Sequence, residues 1–378
     1  MRSADVIIVG AGPTGCAAAL TLRGAGLRVM LLDAATFPRD KVCGDAIPGL
    51  AIKTLRQIDA RLVAAFDRQA DHLRTQRTRF AWGDGPGLEA RWVLPAYTCA
   101  RLTFDAALLD LVRAHSDTAV YEGVRVRTVQ PGPRGVRLIS SIGTLTARLV
   151  IGCDGNRSTV ARALRSATID PRHHGGAVRQ YWRDIDGLQP DRTEIFVQPR
   201  FLPGYFWVFP LSEGLANVGF GMRSDAIARR RINLRRSLAD FIAASPELRQ
   251  RFAGAVPHGP VQGYGLPFGS QRVQVSGPGL LLAGDAASLV DPFSGDGIGY
   301  GVLSGYLAAQ VGAQSLAVGD LSAASLARYD RALWRAIGPE LRRKAWLQHL
   351  LTKAPWLAAT GVRLAQWPWL RRRVQNWV

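Results

Sequence analysis

The first 33 residues constrain the fold of this chain more strongly than any other stretch. Residues 6–9 (VIIV) form an apolar run typical of a buried strand, and Gly10, Gly12 and Gly15 follow at G-x-G-x-x-G spacing. An alanine-rich segment typical of a helix comes next, and a second apolar run ends at Asp33. This order predicts a strand–turn–helix–strand unit that binds a dinucleotide.

The residue types at this turn suit a bound pyrophosphate. Gly10 permits the tight turn, Gly12 lets the backbone approach the phosphates, and Gly15 lets the helix pack closely on the strand. The start of the helix offers free N–H groups and the positive end of the helix dipole. Asp33 can accept hydrogen bonds from a ribose diol.

Two later segments repeat the pattern of a buried strand that ends in an acid. Residues 148–155 (RLVIGCDG) contain Asp154, and residues 279–287 (GLLLAGDAA) contain Asp285. Carboxylates at the carboxyl ends of parallel strands face the ligand crevice of such a sheet. From about residue 170 to 275, strand-like runs indicate an antiparallel sheet.

This order predicts an α/β protein with a discontinuous, Rossmann-like nucleotide-binding domain, an inserted antiparallel β-sheet substrate domain and a helical C-terminal segment. The nucleotide-binding domain is expected over residues 1–75, 96–168 and 276–320. The substrate domain is expected over 76–95 and 169–275, and the C-terminal segment over 321–378. Irregular chain with short strands is expected over 56–95, and one basic helix over 225–252.

The composition of the chain indicates which binding partners and which cellular compartment to expect for this protein. The formal net charge of +19 favours an acidic partner such as nucleic acid, an anionic membrane or an anionic substrate. The four cysteines form no C-x-x-C pair, which argues against a redox dithiol and a zinc cluster. The N-terminus lacks a signal-peptide pattern and no run reaches about 18 apolar residues, so we expect a cytoplasmic protein without a membrane-spanning helix.

Three segments together resemble the flavoprotein monooxygenases with the para-hydroxybenzoate-hydroxylase fold. They are GAGPTG, CDGNRSTVAR and AGDAASLVDPFSGDGI, in that order along the chain. Within that group, residues 37–49 (FPRDKVCGDAIPG) and 203–210 (PGYFWVFP) resemble the P-R-x-K-x-C-G and Y-x-W-x-F-P segments of the geranylgeranyl reductase family. The resemblance covers residues 1–310 and implies an FAD-dependent oxidoreductase.

The resemblance also implies which residues hold FAD. Gly15 and its helix would contact the pyrophosphate, Asp33 the adenosine ribose, and Arg101, in an R-x-x-F-D segment, a phosphate or the ribitol. The other implied contacts are Cys43, Gly44 and Ala46 at the flavin, Val124 at the adenine, Asp285 at the ribitol, and Gly297 and Ile298 at the pyrimidine edge. A helix predicted from about Asp296 would direct the positive end of its dipole at a reduced flavin.

Two residues depart from the usual pattern of the family, since Asp33 stands where Glu is usual and Asp45 where many relatives have glycine. Cys43 is a candidate proton donor or flavin-contacting thiol, or else only a small residue in a tight loop. Its neighbours Arg39 and Lys41 favour the thiolate. Asp45 is a candidate general acid, although a loop-capping carboxylate is the favoured interpretation.

Aromatic residues indicate a place for an apolar substrate. The candidates for the wall of a substrate tunnel are Tyr205, Phe206, Trp207 and Phe209. Ordinary strand core is the alternative for them, because aromatic residues favour strands. His173 and His174 lack carboxylates at metal-ligand spacing, so we interpret them as a surface turn and expect no metal site.

Residues 341–378 contain five Trp, six Arg and two Lys, and they lack Asp and Glu. Interleaved Trp and Arg are typical of an interfacial helix on an anionic membrane. A helix that packs on the protein body with an exposed basic face is the alternative. Basic and aromatic residues also occur together in nucleic-acid binding, but the chain has no recognisable nucleic-acid module, so no nucleic-acid partner is expected.

These features together predict reduction of C=C bonds in an isoprenoid or other lipid. Reduced FAD would deliver a hydride to one carbon while the other receives a proton from Cys43 or a nearby acid. One alternative is a flavin monooxygenase or halogenase, which shares the three nucleotide-binding segments. Another is a non-enzymatic prenyl-lipid binding protein on the same fold. No second G-x-G-x-x-G follows a strand, which leaves NAD(P)H bound transiently, a ferredoxin-type protein or a quinol as electron donor.

Overall fold

The computed structural model of the protein describes residues 2–85, 87–166, 169–356 and 360. The strands in these ranges are β1 (Arg2–Val9), β2 (Val29–Leu32), β3 (Ala46–Ile47), β4 (Leu73–Trp82), β5 (Leu88–Thr98), β6 (Ala119–Tyr121), β7 (Val126–Gly132), β8 (Gly135–Ser140), β9 (Gly143–Gly152), β10 (His174–Arg183), β11 (Arg192–Val197), β12 (Gly204–Pro210), β13 (Leu215–Arg223), β14 (Val256–Pro267), β15 (Ser276–Gly277) and β16 (Leu280–Leu282). The α-helices are α1 (Pro13–Leu22), α2 (Gly49–Ile58), α3 (Ala60–Gln69), α4 (Arg101–His115), α5 (Thr159–Leu164), α6 (Ser224–Arg230), α7 (Leu234–Ala244), α8 (Pro246–Arg251), α9 (Ile298–Ala317) and α10 (Ala323–Lys353).

The first of two sheets brings the predicted acid-bearing strands side by side. β1 pairs in parallel with β2 on one side and with β9 on the other, and β9 pairs in parallel with β16. The carboxyl ends of these strands therefore meet at one edge of the sheet, where Gly10, Asp33, Asp154 and Asp285 follow them. This arrangement confirms the α/β fold that the sequence predicts.

The second sheet is mainly antiparallel, with the strand order β14-β10-β13-β12-β11-β4-β5-β3. β4 and β11 are an exception, since they pair in parallel. Its strands come from residues 46–47, 73–98 and 174–267, so the chain enters this sheet three times. Phe206, Phe220 and Phe241 are fully buried in the core of this sheet, which is separate from the core under the first sheet. The domain boundaries given above stay a prediction.

Residues 56–95 are more regular than the sequence analysis predicts. α3 and the long strands β4 and β5 occupy most of this range. The side chain of Asp59 accepts a hydrogen bond from the backbone of Arg61 and so caps the N-terminus of α3. Leu62 and Phe66 lie one turn apart and are both buried in the core, and this packing stabilises the helix.

The single basic helix predicted over residues 225–252 is wrong, because three short helices occupy this range. Arg231 adopts a left-handed conformation with φ of 52°, which ends α6. Pro246 lacks a backbone N–H and starts α8, so α7 ends before it. The side chains of Asn233 and Ser245 cap the two helices that follow these breaks.

A close approach of α1 and α9 holds the glycine-rich turn in place. A Cβ atom added to Gly305 would lie 2.2 Å from the backbone oxygen of Thr14, and one added to Gly301 would lie 2.6 Å from Thr14 Oγ1. Both distances are far below van der Waals contact, so this face of α9 has no room for side chains. The contact brings the first turns of α9 to the start of α1, beside the glycine-rich turn.

The long helix α10 forms most of the described part of the C-terminal segment. Leu326, Tyr329 and Leu333 are buried against the first core, and the Tyr329 hydroxyl donates to the backbone oxygen of Leu282 at 2.7 Å. Near the end of α10, Trp346 is exposed. The last three tryptophans lie outside the described residues, namely Trp367, Trp369 and Trp377. Across the described ranges, no helix combines the length and apolar character needed to cross a bilayer.

The contact between α1 and α9 makes a testable prediction. Gly305→Ala should lower the free energy of unfolding by about 1–3 kcal/mol, because the added methyl group meets backbone atoms that cannot rotate away. Chemical denaturation measures the change. Gly254→Ala is the control, since a Cβ atom there meets nothing within 4 Å, and its effect should stay within about 0.5 kcal/mol. Equal stability of both variants would contradict the close helix contact.

Candidate functional site

One large cavity is lined by residues from both sheets and from α10. Its volume is ≈ 1640 Å³. It extends from Gly10 and Asp33 at the edge of the first sheet, past Cys43, to Trp207 in the second sheet and Trp346 on α10. Pockets for a single small ligand usually enclose about 300–1,000 Å³, so this cavity has room for a dinucleotide and a second molecule.

The glycine-rich turn at one end of the cavity excludes side chains. Gly10 has φ of +103°, and a Cβ atom there would lie 2.3 Å from the backbone oxygen of Cys153. A Cβ atom at Gly15 would lie 1.8 Å from the backbone oxygen of Gly10. Gly12 precedes α1 without a side-chain cap, which leaves N–H groups of the first turn available to an anion. The turn is therefore built as the sequence predicts, and its role toward a pyrophosphate stays a prediction.

Two backbone hydrogen bonds hold the carboxylate of Asp33 next to this turn. Its Oδ2 atom accepts a hydrogen bond from the backbone N–H of Ala11 at 2.8 Å, and its Oδ1 atom accepts one from Ala35 at 2.9 Å. The backbone oxygen of Asp33 accepts a hydrogen bond from the backbone N–H of Val124 at 2.8 Å. Val124, which also lines the cavity, therefore lies next to Asp33. Each carboxylate oxygen keeps a further acceptor site, which a ribose hydroxyl can use.

Two arginines next to the turn share one buried carboxylate. Arg101 Nε and Nη2 each donate to Asp105 at 2.6 Å, and Arg39 Nη1 donates to the same side chain at 2.8 Å. Asp105 is fully buried. The Arg39 Nη2 atom lies 3.5 Å from the position of a Cβ atom on Gly12, so the pair places positive charge beside the turn. No role for Asp105 is predicted from the sequence, although its i,i+4 spacing from Arg101 on one helix is a usable signal.

A second ion pair lies farther along the cavity. Lys41 Nζ is 3.1 Å from Asp285 Oδ2 and 4.9 Å from the ring centroid of Tyr264. Burial alone would lower the pKa of Lys41, but the nearby Asp285 carboxylate raises it above its ordinary value. A Cβ atom on Gly297 would lie 3.1 Å from Asp285 Oδ1. Three residues that the resemblance assigns to flavin contacts, Asp285, Gly297 and Ile298, are therefore neighbours here.

The start of α9 differs from the expectation. The helix begins at Ile298, and Asp296 Oδ1 accepts from the backbone N–H groups of Ile298 at 2.9 Å and Gly299 at 3.1 Å. Burial raises the pKa of Asp296 to about 6. An ionised Asp296 offsets the positive end of the helix dipole, so this helix end is less positive than the sequence analysis expects.

Asp45 is not a loop cap, so the favoured interpretation of this residue is wrong. It is fully buried, and its Oδ2 atom accepts from the Tyr181 hydroxyl and from Asn217 Nδ2, both at 2.8 Å. Its Oδ1 atom has no hydrogen-bond partner among the described residues. Burial raises the pKa of Asp45 to about 6, against the opposing effect of these two donors. Neither donor was identified from the sequence, because both lie more than 130 residues away along the chain.

Cys43 lines the cavity as a neutral thiol, which contradicts the expected thiolate. Burial raises the pKa of Cys43, the Arg101 guanidinium opposes this, and the Asp45 charge adds to it. The two neighbours that favoured the thiolate are neutralised by other partners. Arg39 is paired with Asp105 and Lys41 with Asp285.

The aromatic residues of β12 lie on two faces of the strand, one at the cavity and one in the second core. Tyr205, Trp207 and Phe209 line the cavity, because alternate residues of a strand point to one face. Phe206 points to the other face, stacks on Phe241 at 4.9 Å between ring centroids and belongs to the second core, so its assignment to the tunnel wall is wrong. The wall contacts the Cys43 loop, since a Cβ atom on Gly44 would lie 3.3 Å from Phe209.

The outer end of the cavity is apolar and open to solvent. Val93 is 77% exposed and Trp346 is 63% exposed, and both line the cavity. Leu94 and Phe293 are also exposed lining residues. Large apolar side chains that are both exposed and part of a cavity wall mark its mouth.

His173 and His174 each form a hydrogen bond with a serine side chain. His173 Nδ1 lies 2.8 Å from Ser270 Oγ, and His174 Nδ1 lies 2.8 Å from Ser224 Oγ. His173 is in a short helical turn, whereas His174 begins β10 and does not belong to a surface turn. Among the residues that the structure describes, no group of three or more His, Cys, Asp or Glu is arranged to hold a metal ion.

Comparison with known proteins agrees with this geometry. The family described as FAD binding domain matches residues 3–330. The chain is 34% identical over 327 residues to menaquinone reductase of Mycobacterium tuberculosis, a match that covers 82% of this chain and 76% of the relative. It is 32% identical over 338 residues to digeranylgeranylglycerophospholipid reductase 2 of Methanopyrus kandleri, covering 86% of this chain and 81% of the relative.

The fold is also found in a flavoenzyme of another class. The structure of the flavin-dependent brominase Bmp2 superimposes with a TM-score of 0.80 and covers 99% of this chain and 93% of that chain. The sequence identity is 21%, so the likeness concerns the fold alone.

The shared carboxylate of Asp105 makes a testable prediction. Asp105→Asn should lower the free energy of unfolding by about 3 kcal/mol, because it leaves two arginine charges without their anion. Denaturant titration measures the change. Asp110→Asn on the same helix is the control, since its exposed pair with Arg113 should contribute at most about 1 kcal/mol. A loss no larger than that of the control would contradict the assigned pairing.

Proposed function

The chain belongs to the FAD binding domain family and, within it, to the geranylgeranyl reductases, and on this premise we propose that it reduces C=C bonds in the isoprenoid chain of a lipid. The observation that carries the proposal is one continuous cavity among the described residues, which joins the glycine-rich turn, Cys43 and the aromatic wall to an apolar mouth. Two relatives support the substrate class, because both are named for lipids that bear isoprenoid chains.

We propose that FAD occupies the polar end of the cavity. The turn fits its pyrophosphate because Gly10 and Gly15 leave no space for side chains, and Arg39 and Arg101 add positive charge nearby. The residues proposed to hold FAD are Gly10, Gly12, Gly15, Asp33, Cys43, Gly44, Ala46, Arg101, Val124, Asp285, Gly297 and Ile298. Bound and reduced, FAD supplies the hydride.

An isolated C=C bond is weakly polarised, so its reduction also needs a positioned proton and a site without bulk water. Cys43 is the proposed proton donor, because its neutral thiol lines the cavity beside Gly44. Tyr205, Trp207 and Phe209 are proposed to hold the isoprenoid chain against that thiol and to exclude water. For electrons, we propose NAD(P)H bound transiently, a ferredoxin-type protein or a quinol.

A flavin halogenase or monooxygenase is the second candidate, because such enzymes share the three nucleotide-binding segments, and the brominase adds only a shared fold. In that case the reduced flavin reacts with oxygen. The two relatives of 32–34% identity are both reductases, which supports the first candidate.

The deciding experiment is anaerobic incubation of dithionite-reduced protein with a panel of polyprenyl lipids, analysed by mass spectrometry. Reduction adds about two mass units per bond, from one hydride and one proton. Products that appear only in air and carry oxygen or halogen would contradict the reductase proposal. A purified protein that stays free of flavin after reconstitution would instead favour the non-enzymatic lipid carrier.

The proposed role of Cys43 makes a prediction for the same assay. Cys43→Ala should slow lipid reduction by about 10²-fold or more, the contribution of a positioned general acid, while the flavin absorbance of the protein stays unchanged. Cys16→Ala is the control, because Cys16 is buried in α1 away from the cavity lining. An unchanged reduction rate in Cys43→Ala would remove Cys43 from the mechanism.

We also propose that the protein binds the cytoplasmic face of an anionic membrane through residues 341–378 and the cavity mouth. Six arginines and Lys353 in this segment complement anionic lipids, each contributing about 1 kcal/mol near such a surface, whereas Lys344 is already paired with Asp291 and Glu340. The exposed side chains of Val93 and Trp346 at the mouth would then face the lipid that supplies the substrate.

Vesicle sedimentation tests the membrane proposal. Binding to vesicles with anionic lipid should exceed binding to neutral vesicles, and Trp346→Ser should weaken it several-fold through the loss of buried apolar area. Val318→Ser is the matched control, since Val318 is 71% exposed but does not line the cavity. Equal binding to both kinds of vesicle would contradict the proposal.

A further inference from the structure

The 291–297 segment (DPFSGDG), which precedes α9, is held from two sides, and the first of these is the second sheet. Six of its seven residues line the cavity. The hydroxyl of Tyr205 on β12 donates a hydrogen bond to the backbone oxygen of Ser294. A Cβ atom on Gly295 would lie 3.0 Å from the same hydroxyl oxygen, so β12 and the middle of the segment are in close contact.

The helix α10 holds the segment from its other side. Lys344 Nζ lies 2.7 Å from Asp291 Oδ2. Four residues farther along α10, Gln348 donates a hydrogen bond to the backbone oxygen of Pro292. The second oxygen of Asp291 accepts from the backbone N–H groups two and three residues farther on, at 2.8 Å and 3.2 Å. Because Asp291 is fully buried, its carboxylate joins the helix to the internal hydrogen bonds of the segment.

The three N–H donors of the Lys344 ammonium group all have partners within the described part of the chain. They are Asp291, Glu340 Oε1 at 2.6 Å and the Tyr300 hydroxyl at 3.3 Å. Burial alone would lower the pKa of Lys344, but the Asp291 carboxylate raises it above its ordinary value, so the side chain stays charged. Lys344 therefore acts through the segment and not directly on a molecule in the cavity.

We propose that Lys344 is a positioning residue for the flavin, an inference that rests on the proposed placement of FAD in the cavity. Gly297, which ends the segment, and Ile298 after it are the residues proposed to lie at the pyrimidine edge of the flavin. The ion pair of Lys344 fixes the start of the segment and Tyr205 holds its middle, so these contacts set the position of its end. The helix α10 is thereby part of the flavin site.

Loss of the lysine charge would release the start of the segment. The buried carboxylate of Asp291 would keep its backbone N–H partners but lose its cation, and a buried charge without an opposite charge is strongly unfavourable. The segment would then move until this carboxylate reaches water. That movement displaces Gly297, six residues farther on, from the pyrimidine edge.

The first test measures dissociation of FAD from the FAD-loaded protein, followed by flavin fluorescence on dilution. Lys344→Met removes the charge but keeps a long apolar side chain, and it should raise the dissociation constant about tenfold. Lys344→Arg should restore most of the affinity, because a guanidinium group can pair with both carboxylates. Lys353→Met is the matched control, since Lys353 on the same helix is exposed and lies outside the cavity lining.

A double variant tests whether Lys344 acts through Asp291. Asp291→Asn removes the negative charge that requires a cation, so Lys344→Met combined with Asp291→Asn should bind FAD more tightly than Lys344→Met alone. Losses that simply add in the double variant would contradict this route.

The visible spectrum of the bound flavin separates positioning from a general loss of stability. At saturating FAD, the absorbance maxima of Lys344→Met should move toward those of free FAD, because the pyrimidine edge loses its contact with the segment. A purely structural role of Lys344 would leave the spectrum of the bound flavin unchanged.

The outcomes separate this inference from the proposals on which it rests. Equal FAD dissociation in Lys344→Met and Lys353→Met would overturn the positioning role, and so would an unchanged spectrum of the bound flavin. A wild type that stays free of FAD after reconstitution would contradict the placement of FAD, and the positioning role would fall with it. These readouts use no lipid, so they do not depend on which substrate the protein reduces.

Discussion

The candidate site depends on buried and partly buried polar contacts that hold the segment 37–49 against the rest of the protein. Arg39 pairs with Asp105 on α4, Lys41 pairs with Asp285 after β16, and Asp45 accepts hydrogen bonds from the second sheet. These contacts connect one short segment to both sheets. Without them, a loop of mixed charge would not stay in an apolar cavity, because buried charges need partners.

The same contacts decide the chemistry of the segment. Because the charges of Arg39 and Lys41 are used in pairing, burial dominates at Cys43 and keeps its thiol neutral. Burial raises the pKa of Asp45 to about 6, and Asp45 forms no ion pair among the described residues that would offset this effect. The site thus combines a neutral thiol, a buried carboxyl group with a pKa of about 6 and an apolar wall, a combination that suits proton delivery to a weakly polarised bond.

Much of the fold could be predicted from the sequence, and the reasons are local. Gly10 and Gly15 stand where the backbone permits no side chain, and the apolar runs before Gly10 and Asp33 have the length of buried parallel strands. Prediction failed where packing outweighs local preference. α3 and the break at Arg231 depend on contacts and caps that hydrophobic periodicity does not reveal. Phe206 lies in the core and Trp207 at the cavity only because neighbouring residues of a strand point to opposite faces.

The sequence by itself determined the dinucleotide turn, the parallel strands around it and the presence of a Cys43–Asp45 loop, because these follow from steric limits and spacing within short stretches. Only the tertiary structure decided which groups surround that loop. Lys41 and Asp285 are 244 residues apart, and Asp45 and Asn217 are 172 residues apart. Protonation at the site depends on these distant partners and on burial, and neither quantity exists in the chain before it folds.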